Sequence, residues 1–491
     1  MSSRRSFGDD CAATYRLEPL EPRLLLSGSW LQGAELYTDA SLIETGLAGS
    51  YIDETLSDVD QIDWRASQPI AGTRVDDPVE FLDNGWGLRA EVGLTGGIDT
   101  NWERFSVQWD GAVDITEDRQ RLTTAADDGC RFWIDIDHDG AFEDSERFDN
   151  YWGRYSGVTA GERTPGLESG VYPIRIQYYE NTGHNRFALV SAPYVPEPFV
   201  PTPDNPQQVV KAIVLNFDPR VPSEGNRLMH EVFNWNDPHR LASQFEADLE
   251  WATGGAIDIQ VVEWRDLDAI PTFTDGFRYN PDEYVQFRRD DEGWHDTITD
   301  YYELIESHNL RPLIDSNAID EIWLFGDHYF KHLGEAWMGG PNSFFINGPS
   351  FPDAGFDRAI AGYGFSYERG VAEMIHNLCH RTENHGQRAF GSWNLGTPQT
   401  AFDTFSSNYL DTYSGPYGIG TCHVPANADG HYDYGDPRTV DSFAFDFANY
   451  PTMTWQTQPV TRETWATGLN PDYHRDFMNF YFGMMPRNAG T

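Results

Sequence analysis

The chain has 491 residues and a formal net charge of −44, from 34 basic and 78 acidic side chains. So negative a surface is repelled by phosphate backbones and anionic headgroups, which excludes nucleic acid and polybasic membrane attachment. Hydrophobic residues at 39% and aromatics at 14% suffice for packed cores, and no apolar run approaches the 18 or more residues of a transmembrane segment.

Only two of the basic residues are lysines, Lys211 and Lys331. An acidic surface that keeps arginine suits salty surroundings, where screening weakens self-repulsion. The four cysteines, Cys11, Cys130, Cys379 and Cys422, are too scattered for a disulfide framework. A Cys379–Cys422 bridge and a pair of buried free thiols both remain open.

Residues 1–45 read as a tail. Its only apolar run, Leu24-Leu25-Leu26, is too short for the core of a cleavable signal peptide. Leu20-Glu21-Pro22-Arg23-Leu24-Leu25-Leu26, followed by Ser27-Gly28, resembles the LEPR-type motif found near the start of large exported and envelope proteins of bacteria. That resemblance implies export.

From Gly46 to Val190 the segments are short, aromatic and β-branched, and separated by Gly and Asp turns. Their period of two predicts an antiparallel β-sandwich over 46–192. Four phrases carry a resemblance. Phe105-Ser-Val-Gln-Trp-Asp-Gly111, Ala126-Asp-Asp-Gly-Cys-Arg-Phe-Trp-Ile-Asp135, Phe148-Asp-Asn-Tyr-Trp152 and Gly170-Val-Tyr-Pro-Ile-Arg-Ile-Gln-Tyr-Tyr-Glu-Asn-Thr-Gly183 are similar, in the same order, to the protective-antigen (PA14) domain. The resemblance implies a carbohydrate-binding sandwich in which an adjacent Asp pair, here Asp127 and Asp128, holds a Ca²⁺ that coordinates sugar hydroxyls. A hard cation does want clustered oxygen ligands. The other reading of the pair is that it only organises the turn before Gly129.

A second acidic cluster stands beside it. Asp135, Asp137, Asp139, Gly140 and Glu146 follow the twelve-residue calcium-loop spacing. Alternate carboxylates converge, Gly140 allows the sharp turn, and Glu146 can bind through both oxygens. Phe132-Trp-Ile134 reads as a strand and no helix follows, so the expectation is a calcium-binding hairpin loop rather than an EF-hand. A solvated Asp-Gly turn is the competing reading.

Residues 193–208 contain six prolines, which predicts an extended, semi-rigid spacer between two domains. Beyond it, Val209–Phe217 is a continuous apolar run suited to a buried strand. A helix around 238–253, a strand at 257–264, a helix at 296–308 and a strand at 321–325 follow. This alternation predicts an α/β or α+β domain over 209–491. The phrases Ile319-Asp-Glu-Ile-Trp-Leu-Phe325, Gly364-Phe-Ser-Tyr-Glu-Arg-Gly370 and His380-Arg-Thr-Glu383 are similar to a group of exported proteins to which no reaction attaches, so nothing functional is carried over.

A helix starting near Tyr367 holds the residues of greatest chemical interest. Glu373, His376, His380 and Glu383 fall within an arc of roughly 80° on its surface. Imidazoles at i and i+4 can grip one ion, as in zinc metallopeptidases. Those enzymes carry a general-base Glu after the first His; here that place is taken by Asn377, which cannot act as a base. About 10 Å of helix rise separates His376 from Glu383, too far for one ion. The expected centre is therefore His376 and His380 with a third ligand from elsewhere, first His423, then His385 and His431. Glu383 would orient a ligand from behind, and Glu373 is the substitute base.

Two functions follow. One is an exported binding protein whose sandwich recognises glycans with Ca²⁺. The alternative is a zinc-dependent hydrolase, peptidase-like, tethered to polysaccharide by the sandwich. No phosphate loop, dinucleotide fingerprint or Gly-x-Ser-x-Gly elbow is present.

Overall fold

The computed structural model describes residues 30–486, apart from 54–68, 95–101, 151–158, 193–194, 291–294, 296, 331–335, 395, 412–413 and 468–470. The LEPR-type motif and Cys11 lie outside the described residues.

The first unit is a sandwich of two antiparallel sheets. Its strands are β1 (Ala34–Tyr37), β2 (Leu47–Asp53), β3 (Gly72–Asp76), β4 (Glu80–Leu82), β5 (Phe105–Ile115), β6 (Leu122–Asp127), β7 (Gly129–Ile134), β8 (Arg147–Asn150), β9 (Thr159–Ala160), β10 (Gly170–Glu180) and β11 (Arg186–Ser191). One sheet runs β3-β2-β5-β10-β7-β8, with β1 also on β5, and the other runs β4-β11-β6-β9. The period of two is visible as burial: Phe105, Val107 and Trp109 on β5 and Tyr172, Ile174, Ile176 and Tyr178 on β10 point into a core that also holds Trp86, Trp102 and Phe187. Strand β1 corrects the sequence reading, which leaves it in the tail; it pairs with β5 from Ala34↔Ile115 to Tyr37↔Ala112.

The second unit is a three-layer α/β domain. Strands β12 (Gln208–Phe217), β13 (Ile257–Leu267), β14 (Glu321–Gly326), β15 (Ala336–Gly339), β16 (Ser350–Phe351) and β17 (Ile360–Ser366) form one sheet ordered β13-β12-β14-β17-β15-β16. The first four in that order are mutually parallel, whereas β15 runs antiparallel to β17. Alternate residues of the buried strands serve two cores. Ala212, Val214, Trp323 and Phe325 face helices α1 (Pro238–Ala252), α5 (Val371–Phe390) and α6 (Tyr473–Gly483). Ile213, Leu215, Ile322 and Leu324 face α2 (Pro281–Asp290), α3 (Tyr301–Ser307) and α4 (Arg311–Asp315). Strands buried on both sides read as continuous apolar runs for this reason. Ser343–Asn347 is irregular chain rather than an element. Among the described residues, no helix is long and apolar enough to cross a membrane.

The proline-rich segment does not hold the units apart. Phe199 N–H donates to Gly254 O at 2.8 Å and Gln208 N–H to Ala256 O at 2.9 Å, so it lies along the α/β domain. Between the units is a buried ionic network. Asp248 of α1 accepts from Arg121 at 2.6 Å, from Arg475 of α6 at 2.6 and 2.8 Å, and from Asn479 at 3.0 Å. Arg163 of the sandwich pairs with Asp476 of α6, and its backbone exchanges two hydrogen bonds with Gln244 of α1. Charges this deeply buried cannot be separated without an uncompensated desolvation cost. The expected spacer is thus a docked strap.

Candidate metal centre and sandwich carboxylates

Helix α5 starts just after the carboxyl end of β17, beside the end of β14. That is where open parallel sheets place ligand sites. A cleft of about 510 Å³ opens there, walled by Asp327, Ser366, Glu373, His376, His423 and Tyr432. Val371, Met374, Ile375 and Cys379 pack α5 onto the sheet, and this anchoring turns His376 and His380 toward the segment 420–434.

Four imidazoles meet there. His376 Nε2 lies 3.0 Å from His380 Nε2, and His376 Nδ1 lies 2.9 Å from His474 Nε2 on α6. The His423 ring is centred 5.1 Å from that of His376 and 4.8 Å from that of His380. One donor atom from each of His376, His380, His423 and Cys422 lies within 4.8 Å of the others. Burial, reinforced by His474, His380 and His423, pushes His376 down to about 2; burial and His423 lower His380 to about 4. His423 and His474 are lowered too, first by burial. The group is therefore neutral near pH 7, the form in which imidazole offers a lone pair to a cation.

The surroundings hold the rings in place. Cys422 Sγ lies 3.2 Å from His380 Nδ1, while the Cys422 N–H and Sγ–H donate to Glu383 at 2.7 and 3.2 Å. Tyr434 stacks on His474 with centroids 4.3 Å apart and donates its hydroxyl to Cys422 O at 2.7 Å. Asn377 donates to Gly364 O at 3.4 Å, which ties it to β17.

Of the residues expected from the sequence, His376, His380 and His423 converge, with Glu383 behind them against Cys422. Glu373 does not join them. Its side chain is 41% exposed and pairs with Arg369 at 3.6 Å, although it borders the same cleft. His385 Nδ1 faces Arg381 O at 2.8 Å on its own helix, and His431 is centred 6.5 Å from His423. His474 and Cys422 were missed. Cys422 adjoins a singled-out His, but His474 carries no local pattern at all.

In the sandwich, Asp127 closes β6 and Asp128 follows it; the peptide between them is cis. Asp128 accepts the Asn181 N–H at 2.7 Å, and burial with the neighbouring Asp127 charge raises it to about 6. Glu180, absent from the sequence reading, is buried beside them. Burial, then the Asp128 charge, lifts it to about 10. Tyr178 donates to one of its oxygens at 2.9 Å, while Oε1 is buried with no hydrogen-bond partner among the described residues. In the neighbouring loop, Asp135, Asp137 and Glu146 gather within 4.8 Å, as do Asp137, Asp139 and Glu143. Part of that carboxylate capacity is spent on the loop itself. Asp135 accepts from Asp139 and Gly140 N–H at 3.1 and 3.0 Å, and Glu146 accepts the Ile136 N–H at 2.5 Å.

Residues 95–192 match the PA14 domain. Among solved structures, an anti-sigma factor domain-containing protein from Clostridium clariflavum is 22% identical over 29% of this chain and 40% of that one, with a TM-score of 0.21. The PA14 sugar-binding domain from an RTX adhesin is 14% identical over 30% of this chain and 88% of its own, TM-score 0.21. The epithelial adhesin 6 A domain from Candida glabrata, solved in complex with Galb1-3GlcNAc, is 15% identical over 33% and 85%, TM-score 0.20. The aligned region spans about 40% of the first of these proteins. No curated protein matches this chain.

Proposed function

We propose that this is an exported, metal-dependent hydrolase whose PA14 region holds it on glycans. The observation that carries this reading is the convergence of His376, His380 and His423, on α5 and a distant hairpin, with His376 and His423 at the wall of a cleft of about 510 Å³. Three neutral imidazoles, two of them at the wall of a cavity and His380 buried behind them, suit zinc with an open position, the arrangement of catalytic rather than structural sites. Zinc bound there supplies Lewis acidity toward an oxygen of the substrate. His474 beside His376 and Cys422 beside His380 hold the two rings in orientation. With Asn377 in the usual base position, Glu373 at the cleft wall is the carboxylate available to move a proton. The glycan role rests on the PA14 match and the Asp127–Asp128 pair, with Glu180 Oε1 as an orphaned oxygen for Ca²⁺.

Purified full-length protein is expected to carry zinc, and His423→Ala is expected to lose one equivalent per chain while keeping its near-UV circular dichroism. Zinc content identical in wild type and variant sinks the hydrolase reading.

The carboxylates give a second expectation. Glu180 and Asp128 titrate at about 10 and about 6 in the folded chain, above their usual values of roughly 4. The folded state then binds more protons than the unfolded state across that window, so rising pH removes stability. In excess chelator the melting temperature should fall between about pH 5 and pH 9, and Ca²⁺ should restore most of the loss. Glu180→Gln should flatten both responses. A calcium-independent melting curve counts against the site.

A further inference from the structure

Behind the imidazoles lies a second donor group, whose sulfurs and carboxylate are not ligands of the proposed hydrolytic centre. Cys379 Sγ, Cys422 Sγ and a Glu383 oxygen lie within 4.8 Å of one another, and all three residues are buried. The fourth side of the group is the other nitrogen of His380. Its Nδ1 is 3.2 Å from Cys422 Sγ and 3.8 Å from Glu383 Oε2, whereas its Nε2 faces His376 at 3.0 Å. The His380 ring therefore stands between two donor sets, one opening on the cleft and one closed.

We propose that Cys379, Cys422, Glu383 and His380 Nδ1 form a second, closed site for a thiophilic divalent cation, zinc by ligand preference. Two sulfurs, one nitrogen and one carboxylate oxygen are a four-donor set suited to zinc, and thiolates do not suit Ca²⁺ or Mg²⁺. With zinc–sulfur bonds of about 2.3 Å and zinc–nitrogen or –oxygen bonds of about 2.0–2.1 Å, tetrahedral ligands stand roughly 3.3–3.8 Å apart. The separations around Cys422 Sγ, 3.2 Å to His380 Nδ1 and 3.2 Å to Glu383 Oε2, are close to that range. Among the described residues, no Arg or Lys ion pair reaches Glu383, so the protein supplies this buried carboxyl with no fixed counter-charge of its own. All four residues point inward, with no open position, as in sites that serve structure.

The site has a mechanical consequence. Cys379, His380 and Glu383 ride on α5, whereas Cys422 belongs to the turn that also carries His423. A cation at the closed site clips that turn to the helix and so fixes the third imidazole of the open centre. The proposal shares His380 with the hydrolase reading, and Cys422 as the group that orients it. With both cations bound His380 bridges them as an imidazolate, its ring proton released to solvent, whereas either site alone needs only the neutral ring, so the two can fail separately.

The test uses full-length protein purified in the presence of zinc and thiol reductant. Native mass spectrometry of the wild type should show two zinc ions per chain beyond any calcium. Cys379→Ser and Cys379→Ala should each lose one of them, and with Co²⁺ in place of zinc they should lose the sulfur-to-cobalt charge-transfer band. His423→Ala should lose the other ion and keep that band. One zinc in the wild type that Cys379→Ser retains, or a cobalt spectrum without thiolate character, overturns the closed site. So does a metal-free wild type two hydrogens lighter than the reduced chain, with Cys379 and Cys422 joined. The wild-type measurements decide the matter even if both cysteine variants fail to fold.

Discussion

Asp248→Ala should destabilise the whole chain by about 3–5 kcal/mol, the cost of breaking a buried ion pair from one side. This carboxylate is fully buried at the seam between the units and accepts four hydrogen bonds, three of them from the Arg121 and Arg475 guanidiniums. Burial alone would push its carboxyl up; the Arg475 and Arg121 charges override that and hold it well below the usual range. Removal leaves two buried cations facing each other, with Arg163 nearby. Unfolding in urea should show the loss, and Asp248→Asn should recover only part of it, since it keeps the volume but not the charge. The sign of the pH response also follows. A depressed folded-state pKa contributes stability that is complete above about pH 4 and fades only under stronger acid. The difference between wild type and Asp248→Asn should therefore be flat from about pH 6 to pH 9 and shrink below about pH 4. A loss under about 1 kcal/mol would mean that the units are not held together through this network.

The same seam reaches the imidazoles. Arg475 and Asp476, which meet α1 and the sandwich, directly follow His474, which touches His376. The unit that matches PA14 and the cleft-bearing unit are thus joined through one turn of α6. A glycan-binding module on a loose tether would not need such a contact.

What the sequence could show depended on how local the signal was. Strand alternation places Phe105, Val107 and Trp109 inward with no knowledge of their partners, because burial on a pleated strand has a fixed period. The i, i+4 pair of His376 and His380 is equally local, and one helical turn brings the rings together. His423 could be proposed only as a ligand from elsewhere. His474 was invisible, since its relation to His376 spans 98 positions and exists only after α6 packs on α5. The Asp248 network was hidden for the same reason, and in a chain with 78 acidic residues one more Asp carries no signal. The prolines misled in the opposite sense. They set a local backbone shape, and whether an extended segment bridges solvent or lies on a neighbour is decided by tertiary contacts.

Gly420→Ala should weaken zinc binding by about 10- to 100-fold, the equivalent of roughly 1–3 kcal/mol of backbone strain. Gly420–Thr421 pairs with Val424–Pro425, so Cys422 and His423 are themselves the tip of a two-residue hairpin. Thr421 Oγ1 accepts the Val424 N–H at 3.1 Å and helps close it. Gly420 sits at φ +102, a region L side chains rarely adopt, and an added Cβ would meet Val424 O at 2.1 Å. The strand cannot absorb that contact without shifting the tip, because Tyr434 and Glu383 already hold Cys422 from two sides. Gly430→Ala is the control, since its Cβ would meet only Asp433 Cβ at 4.0 Å. Competition with a chelating dye gives the affinities. Equal affinity in the two variants would show that the hairpin does not position His423, and the imidazole at the cleft wall would then owe its place to packing of the segment that follows it.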